Sequence, residues 1–269
     1  MRLDFVKMNG AGNDFILIDN RARAIRLNQK QIVQLCDRQR GIGADGLFLL
    51  VPCDSGEADW AWEFYNSDGS TAEMCGNGAR CFARFIQKAT GQTGRTRFLT
   101  GAGVIAAEFE GSRVTVNLTN PAGLRLNETV GLKAGPQLIH SLNTGVPHAV
   151  LLVPNADEAM VQQFGSEIRY HAHFAPKGTN VNFVQILGLG RIRVRTYERG
   201  VEGETLACGT GVTASALITA QLHKWPSPVE VQVQGGDLLK VSFRGIGSEF
   251  KDVRLSGPAD FVFQGTIEI

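Results

Sequence analysis

Ala207-Cys208-Gly209-Thr210-Gly211-Val212-Thr213-Ala214-Ser215-Ala216-Leu217-Ile218 and, about half a chain earlier, Met74-Cys75-Gly76-Asn77-Gly78-Ala79-Arg80-Cys81-Phe82-Ala83-Arg84-Phe85-Ile86 share one design. In each, Cys-Gly-x-Gly opens a run with helical periodicity. The earlier run, read as a helix over 76–88, places Ala79, Phe82, Ala83, Phe85 and Ile86 at three- and four-residue spacings. The later run, read as a helix over 209–222, is apolar nearly all round, which predicts a buried helix surrounded by sheet. Upstream of each lies an alternating strand ending in an aromatic and a polar residue, Tyr65-Asn66 and Tyr197-Glu198-Arg199. Two such copies imply an old duplication and two related domains. A turn-like cluster at Asn120-Pro121-Ala122-Gly123 suggests the junction.

Outward from these helices, alternation predicts strands over 15–19, 47–51, 60–65, 113–118, 191–197, 229–234 and 238–243. A third helix is expected over 28–38 with Asn28 as its N-cap. The strict alternation of Arg191-Ile192-Arg193-Val194-Arg195 reads as a half-solvated strand whose arginines form a wet face.

Composition narrows the chemistry. The 269 residues carry 27 Lys and Arg against 26 Asp and Glu, so no net field favours nucleic acid or an anionic membrane, and a small-molecule substrate fits better. The segment from Met1 to Lys7 has no secretory-leader pattern, and no run stays apolar for the roughly 18 residues of a membrane span. The expectation is a soluble cytoplasmic protein. Its five cysteines, at 36, 53, 75, 81 and 208, include no Cys-x-x-Cys pair and no even disulfide framework. Cys36, Cys53 and Cys81 are expected to be buried packing residues. His171-Ala172-His173 is a weak metal signal without a third ligand nearby, and is read as a solvated segment.

Cys75 and Cys208 differ from the other three by context. A strand, a short polar turn and Cys-Gly-x-Gly at a helix start put a thiol beside unpaired N–H groups at the positive end of the helix dipole, which favours the thiolate. Glycines there let a ligand carboxylate approach the N–H groups of Gly76, Asn77, Gly209 and Thr210. Inverting an amino-acid α-carbon needs a base on one face, an acid on the other and stabilisation of the carbanionic transition state between them. Two related thiol-bearing helix starts supply that set of groups without a cofactor or a metal.

At these residues the chain resembles the diaminopimelate epimerase family over essentially its whole length. The resemblance rests on Lys7-Met8-Asn9-Gly10-Ala11-Gly12-Asn13-Asp14-Phe15, on Gly41-Ile42-Gly43-Ala44-Asp45-Gly46, and on the run from Tyr65-Asn66-Ser67-Asp68-Gly69-Ser70 to Cys81. It continues through Gly145-Val146-Pro147-His148, Gly178-Thr179-Asn180-Val181-Asn182-Phe183, and Tyr197-Glu198-Arg199-Gly200 leading to Cys208. It implies an α+β protein of two pseudo-symmetric domains, each an antiparallel-rich sheet or barrel wrapped round a central helix. The halves would be 1–119, joined by a strand at 262–269, and 120–261.

The same resemblance implies a cofactor-independent homodimer converting LL- to meso-diaminopimelate, with Cys75 donating and Cys208 accepting the proton. Asn13, Asn66, Asn180, Glu198 and Arg199 match substrate-contacting positions, and His148 with Glu198 match residues that tune the cysteines. Physically, Arg199 can bind a second carboxylate bidentately, Glu198 can accept from an ammonium, and Asn66 and Asn180 can donate and accept. Taken alone, each asparagine fits a turn equally well. His148, in a turn-like segment after Pro147, offers an imidazole to exchange a proton with a thiol or to polarise it.

The chain departs from the best-described members at two positions. Gly46 replaces a glutamine and Val146 an asparagine, so two side-chain contacts to substrate are absent. The segment from Glu198 to Thr205 is also one residue longer than its shortest family form. The alternatives are a racemase of proline, hydroxyproline or another single-headed amino acid, a phenazine-pathway isomerase, a thiol redox protein, and a non-catalytic amino-acid-binding protein. The two Cys-Gly-x-Gly motifs argue against the phenazine-pathway isomerase and the binding protein, the duplicated helix starts and the substrate-binding blocks against the redox protein, and Arg199 together with the polar asparagines against a single-headed substrate.

Overall fold

A computed structural model describes residues 1–71, 74–245 and 249–269. The chain forms two compact units, the first from Met1–Val116 and Gly257–Ile269, the second from Asn117–Ser256.

In chain order the first unit begins with β1 (Arg2–Gly10), β2 (Asn13–Asp19), α1 (Gln29–Cys36), β3 (Gly46–Pro52) and β4 (Trp60–Asn66). It continues through α2 (Gly76–Thr90), β5 (Arg95–Thr100), β6 (Gly103–Glu110) and β7 (Arg113–Asn117). Next come β8 (Ala122–Leu132), β9 (Gly135–Asn143), β10 (Pro147–Leu152), α3 (Val161–Arg169), β11 (Asn180–Gly188) and β12 (Arg191–Glu198). β13 (Gly203–Thr205), α4 (Gly209–His223), β14 (Val229–Val233), β15 (Leu238–Arg244) and β16 (Lys251–Pro258) follow, and β17 (Asp260–Glu268) returns to the first unit to pair with β1.

One topology is used twice. In the first unit β1 and β2 form an antiparallel hairpin, α1 crosses to β3 parallel to β2, β4 runs antiparallel to β3, and α2 crosses to β5 parallel to β4. In the second, β9 and β10 are antiparallel, α3 crosses to β11 parallel to β10, β12 runs antiparallel to β11, and α4 crosses to β14 parallel to β12. Parallel neighbours need a crossover, and each of the four α-helices among the described residues belongs to one. Most remaining pairs are antiparallel, as expected.

Strand alternation sorts each sheet into two faces. In the first unit Ile16, Ile18, Leu47 and Leu49 join Ile32 and Leu35 of α1 in one core. Phe15, Phe48, Trp62 and Phe64 meet Phe82 of α2 in another, with rings 4.2–6.3 Å apart. Burying each such side chain contributes about 1.5–3 kcal/mol. In the second unit Ala149, Leu151, Val181, Phe183 and Tyr197 pack with Val161 and Ile168 of α3. α4 lies against β9, β10, β11, β12, β14 and β15, and is buried through most of its length, as its all-round apolarity predicts.

Several expectations need correction. Pro147 and His148 are the first residues of β10 rather than a turn, and Ala122 and Gly123 already belong to β8. Arg195 is not on a wet face. Its guanidinium pairs with Glu204 at 2.6 Å and donates to the carbonyls of Ala156 and Asp157, while Arg193 pairs with Asp157. Cys53 is half-exposed beside Ser55 instead of buried. His171–His173 is solvated, as expected: His171 caps a 3-10 turn over Ala172–Phe174, and its Nδ1 accepts from the His173 N–H.

Candidate functional site

Both motif cysteines are N-cap residues. Cys75 has extended backbone and precedes α2, and the Gly78 N–H donates to its Sγ at 3.3 Å. Cys208, also extended, precedes α4, with its Sγ 3.5 Å from Thr210 Oγ1. A sulfur at a helix N-cap meets the dipole's positive end, and a backbone N–H aimed at it favours the anionic form. The other buried thiols differ. Burial pushes Cys36 and Cys81 up to about 12, so neither is a base at neutral pH.

The second glycine of each motif is a point of close approach. A Cβ at Gly78 would lie 2.5 Å from Phe48 Cζ, and one at Gly211 would lie 2.3 Å from Asn182 Oδ1 and 3.3 Å from His148 Cε1. Any other residue would force either the helix start or the side chain facing it to shift.

Around Cys75, the candidate residues Asn13 and Asn77 join one polar chain. Arg80, fully buried, donates to Asn77 Oδ1 at 2.9 Å and to the Gly76 carbonyl at 3.3 Å. Asn77 Nδ2 donates to Asn13 Oδ1 at 2.6 Å, and Asn13 Nδ2 donates to Asp45 Oδ2 at 3.0 Å. Arg38 holds Asp45 and forks onto Asp14, which Lys7 also contacts. Burial opposes ionisation of Asp14, but Arg38 and Lys7 outweigh it and hold its pKa at about 2. Asn66 stands at the end of β4, where its amide donates to Ser70 Oγ across a turn. The turn role is therefore what Asn66 performs in this structure. Gly46, opposite Asn66 in register, has no room for a side chain: a Cβ would lie 2.7 Å from the Tyr65 carbonyl.

Around Cys208, His148 and Asn180 are register neighbours on β10 and β11. Asn180 Nδ2 donates to the Pro147 carbonyl at 3.0 Å, and its Oδ1 accepts from the Arg199 N–H at 2.9 Å. Glu198 Oε2 accepts from Thr205 Oγ1 at 2.9 Å, across the β12–β13 hairpin whose tight turn contains Gly200 and Glu202 at positive φ. Thr144 Oγ1 donates to the Thr210 carbonyl at 2.9 Å. Burial, with Arg199 adding to it, pushes His148 down to about 3, so the ring is neutral.

Arg80, Asp45, Asn182 and Thr144 were not singled out by the motifs, yet each fixes a candidate residue or the turn it sits on. A cue was present for two of them. Arg80 is a charge inside an otherwise apolar helix face, and Asn182 repeats Asn180 on one face of a strand.

Two Cys-capped helices, each on its own copy of one α/β topology and each opened by N–H groups that can donate to a carboxylate, define an amino-acid racemase or epimerase type of architecture. Solved structures with that fold include a hydroxyproline epimerase from Agrobacterium vitis, TM-score 0.74 at 15% identity, covering 99% of this chain and 91% of that one. A PhzF-family phenazine biosynthesis protein from Bacillus anthracis aligns with TM-score 0.74 at 12% identity and covers all of both chains. The family model for diaminopimelate epimerase matches residues 5–123 and 140–260. Relatives of that description include proteins from Aquifex aeolicus, 43% identical with 98% of each chain covered, and Chlorobaculum tepidum, 42% identical with 97% and 100% covered. The chain belongs to the diaminopimelate epimerase family.

Proposed function

We propose that this member of the family interconverts LL- and meso-2,6-diaminopimelate without a cofactor, using Cys75 and Cys208 as the acid and base. The observation that carries the reading is that each cysteine caps a glycine-opened helix in its own copy of the duplicated topology. In the LL-to-meso direction the Cys208 thiolate removes the α-proton, leaving the electron pair on the α-carbon, and the Cys75 thiol delivers its proton to the opposite face. The enzyme ends with Cys208 protonated and Cys75 as thiolate, ready for the reverse reaction or for reset by exchange with water. The N–H groups of Gly76, Asn77, Gly209 and Thr210 bind the reacting carboxylate and take up charge as the α-carbon becomes carbanionic. Arg199 binds the distant carboxylate and Glu198 the distant ammonium, with Asn13, Asn66 and Asn180 completing the polar set. Glu198 and His148 also tune the thiols.

Gly46 contributes backbone alone to this set, and Val146 an apolar surface. The second amino-acid head is therefore held by fewer side-chain contacts than in members with amides at both positions. The protein would work as a homodimer in the cytoplasm, where reducing conditions keep both thiols usable. Sedimentation of the purified protein tests the first of these points.

The deciding experiment is LL-diaminopimelate in deuterated water, with the α-carbon followed by NMR. Deuterium entering the inverted centre, and none entering L-proline or trans-4-hydroxy-L-proline, is the expected result. Turnover of the single-headed amino acids in place of diaminopimelate would overturn the substrate. No exchange at all would overturn the chemistry.

A further inference from the structure

The polar group under the start of α4 is more constrained than a lone histidine needs. Asn182 lies between β10 and β12, opposite Val150 on one side and Thr196 on the other. Its Nδ2 donates to the Ala149 carbonyl at 2.9 Å, while its Oδ1 accepts from Thr196 Oγ1 at 2.9 Å. That carbonyl fixes the orientation of the amide, because the flipped form would put two oxygens in contact. The second Nδ2–H then falls to His148 Nδ1, 3.2 Å away. Nδ1 must accept this hydrogen bond, so it bears no proton, and the proton of the neutral ring sits on Nε2. His148 is 1% exposed, and its Nε2 has no hydrogen-bond partner among the described residues. Cε1, the ring carbon between the two nitrogens, lies 3.3 Å from where a Cβ on Gly211 would stand, in the first turn of α4.

We infer that Asn182 is a positioning residue that locks His148 as the Nε2–H tautomer, so that the imidazole gives the start of α4 a hydrogen-bond donor and no base. The part that donor plays in the reaction rests on the function proposed above; the tautomer does not. Both routes to proton exchange are closed. Accepting a proton requires Nδ1, which Asn182 occupies, and burial together with the Arg199 charge opposes the imidazolium. Giving one up from Nε2 would leave an imidazolate, which neutral water does not support. What remains is a neutral donor for a negatively charged acceptor at the helix start, held in place before that charge develops.

Long-range proton–nitrogen NMR of 15N-histidine-labelled protein tests this, with the His148 signals identified by their absence from His148→Gln. The expected wild-type spectrum has a protonated Nε2 and a bare Nδ1, constant from about pH 5 to about pH 8. Asn182→Asp places an acceptor opposite Nδ1. It is expected to move the proton there and to lower kcat by about tenfold or more, with KM changed much less. A wild-type ring protonated on Nδ1, or on both nitrogens in that range, overturns the inference. So does an Asn182→Asp protein with the wild-type ring spectrum and wild-type turnover. If Asn182→Asp does not fold, the wild-type spectrum still decides. A wild-type protein that shows the Nε2–H tautomer but does not turn over diaminopimelate would sink the proposed function and leave this assignment standing.

Discussion

Phe48 and Asn182 occupy the same station in the two copies of the topology. Each is the third residue of the strand reached by the first crossover helix, and each lies under the third residue of the Cys-capped helix, Gly78 or Gly211. The residue beside it follows the same rule. Phe15 is the register partner of the first residue of β3, as His148 is of the first residue of β11. In the first unit this station holds an aromatic pair, 5.2 Å apart and edge-on, inside a ring cluster. In the second it holds a buried His–Asn pair with defined donors and acceptors. The topology therefore packs well with phenylalanine at this point, and the polar pair answers to something other than packing. The sulfurs differ in the same way, one facing a backbone N–H and the other a side-chain hydroxyl.

The largest effects should come from the sulfurs themselves. Cys75→Ser and Cys208→Ser are each expected to lower diaminopimelate turnover by roughly 10³-fold, because a hydroxyl in the same volume is far less acidic than a thiol. Melting temperatures should hardly move. Wild-type turnover in either variant would remove that half from the chemistry.

Acid separates the two units. His148 has a folded pKa of about 3 against an ordinary 6.5, so below about pH 6.5 the unfolded chain binds a proton that the folded one refuses. Its contribution to stability is complete above that pH and is lost as pH falls towards 3, the loss amounting to roughly 3 kcal/mol by pH 4. His148→Gln keeps an acceptor for Asn182 and has no proton to gain, so it should flatten this loss in urea unfolding measured at neutral pH and at about pH 4.5. An equally steep loss in the variant would place the acid sensitivity elsewhere.

Gly78→Ala and Gly211→Ala compare the stations directly. Both should destabilise by about 1–3 kcal/mol through overpacking. Phe48 can tilt among other rings, whereas Asn182 is tied to three partners, so Gly211→Ala should be the costlier of the two in calorimetry and should also slow turnover. The reverse ranking would mean that the aromatic cluster is the stiffer support.

Asp14→Asn probes the smallest difference. With its pKa lowered from 3.8 to about 2, Asp14 stabilises the fold above about pH 4, and this is lost as pH falls through 2. Because the carboxylate is partly solvated, the variant should cost only about 1 kcal/mol at neutral pH. The gap from wild type should close in acid, and a gap that persists at low pH would point to packing instead of charge.

How much of this could be read from the residues follows from how local each signal is. The Cys-Gly-x-Gly starts and the Asn28 cap were legible because a helix beginning is written in four or five consecutive residues. The Asn28 cap is a full capping box closed by Gln31. α3 was not legible: its N-cap residue, Met160, makes no side-chain cap bond, and Gly165 interrupts its middle, where a Cβ would collide with Tyr197. β10 was obscured by its opening proline, which a strand tolerates at its first residue. The Arg191–Arg195 face looked solvated because its partners, Ala156, Asp157 and Glu204, come from other segments. The same holds for the candidate site. Its motif residues are visible in sequence, Arg80 and Asn182 leave only a faint local cue, and Asp45 and Thr144 acquire meaning only through distant contacts.

The strand β17 joins β1 in antiparallel register from Arg2–Glu268 to Asn9–Asp260, although all of the second unit lies between them in the chain. During synthesis β1 emerges early and waits, one edge unpaired, until the second unit has been made in full. The second unit, continuous in sequence, can fold first and on its own schedule. A nascent chain stalled before residue 257 would then carry a finished second unit beside an open-edged first one, the form most exposed to strand-to-strand aggregation.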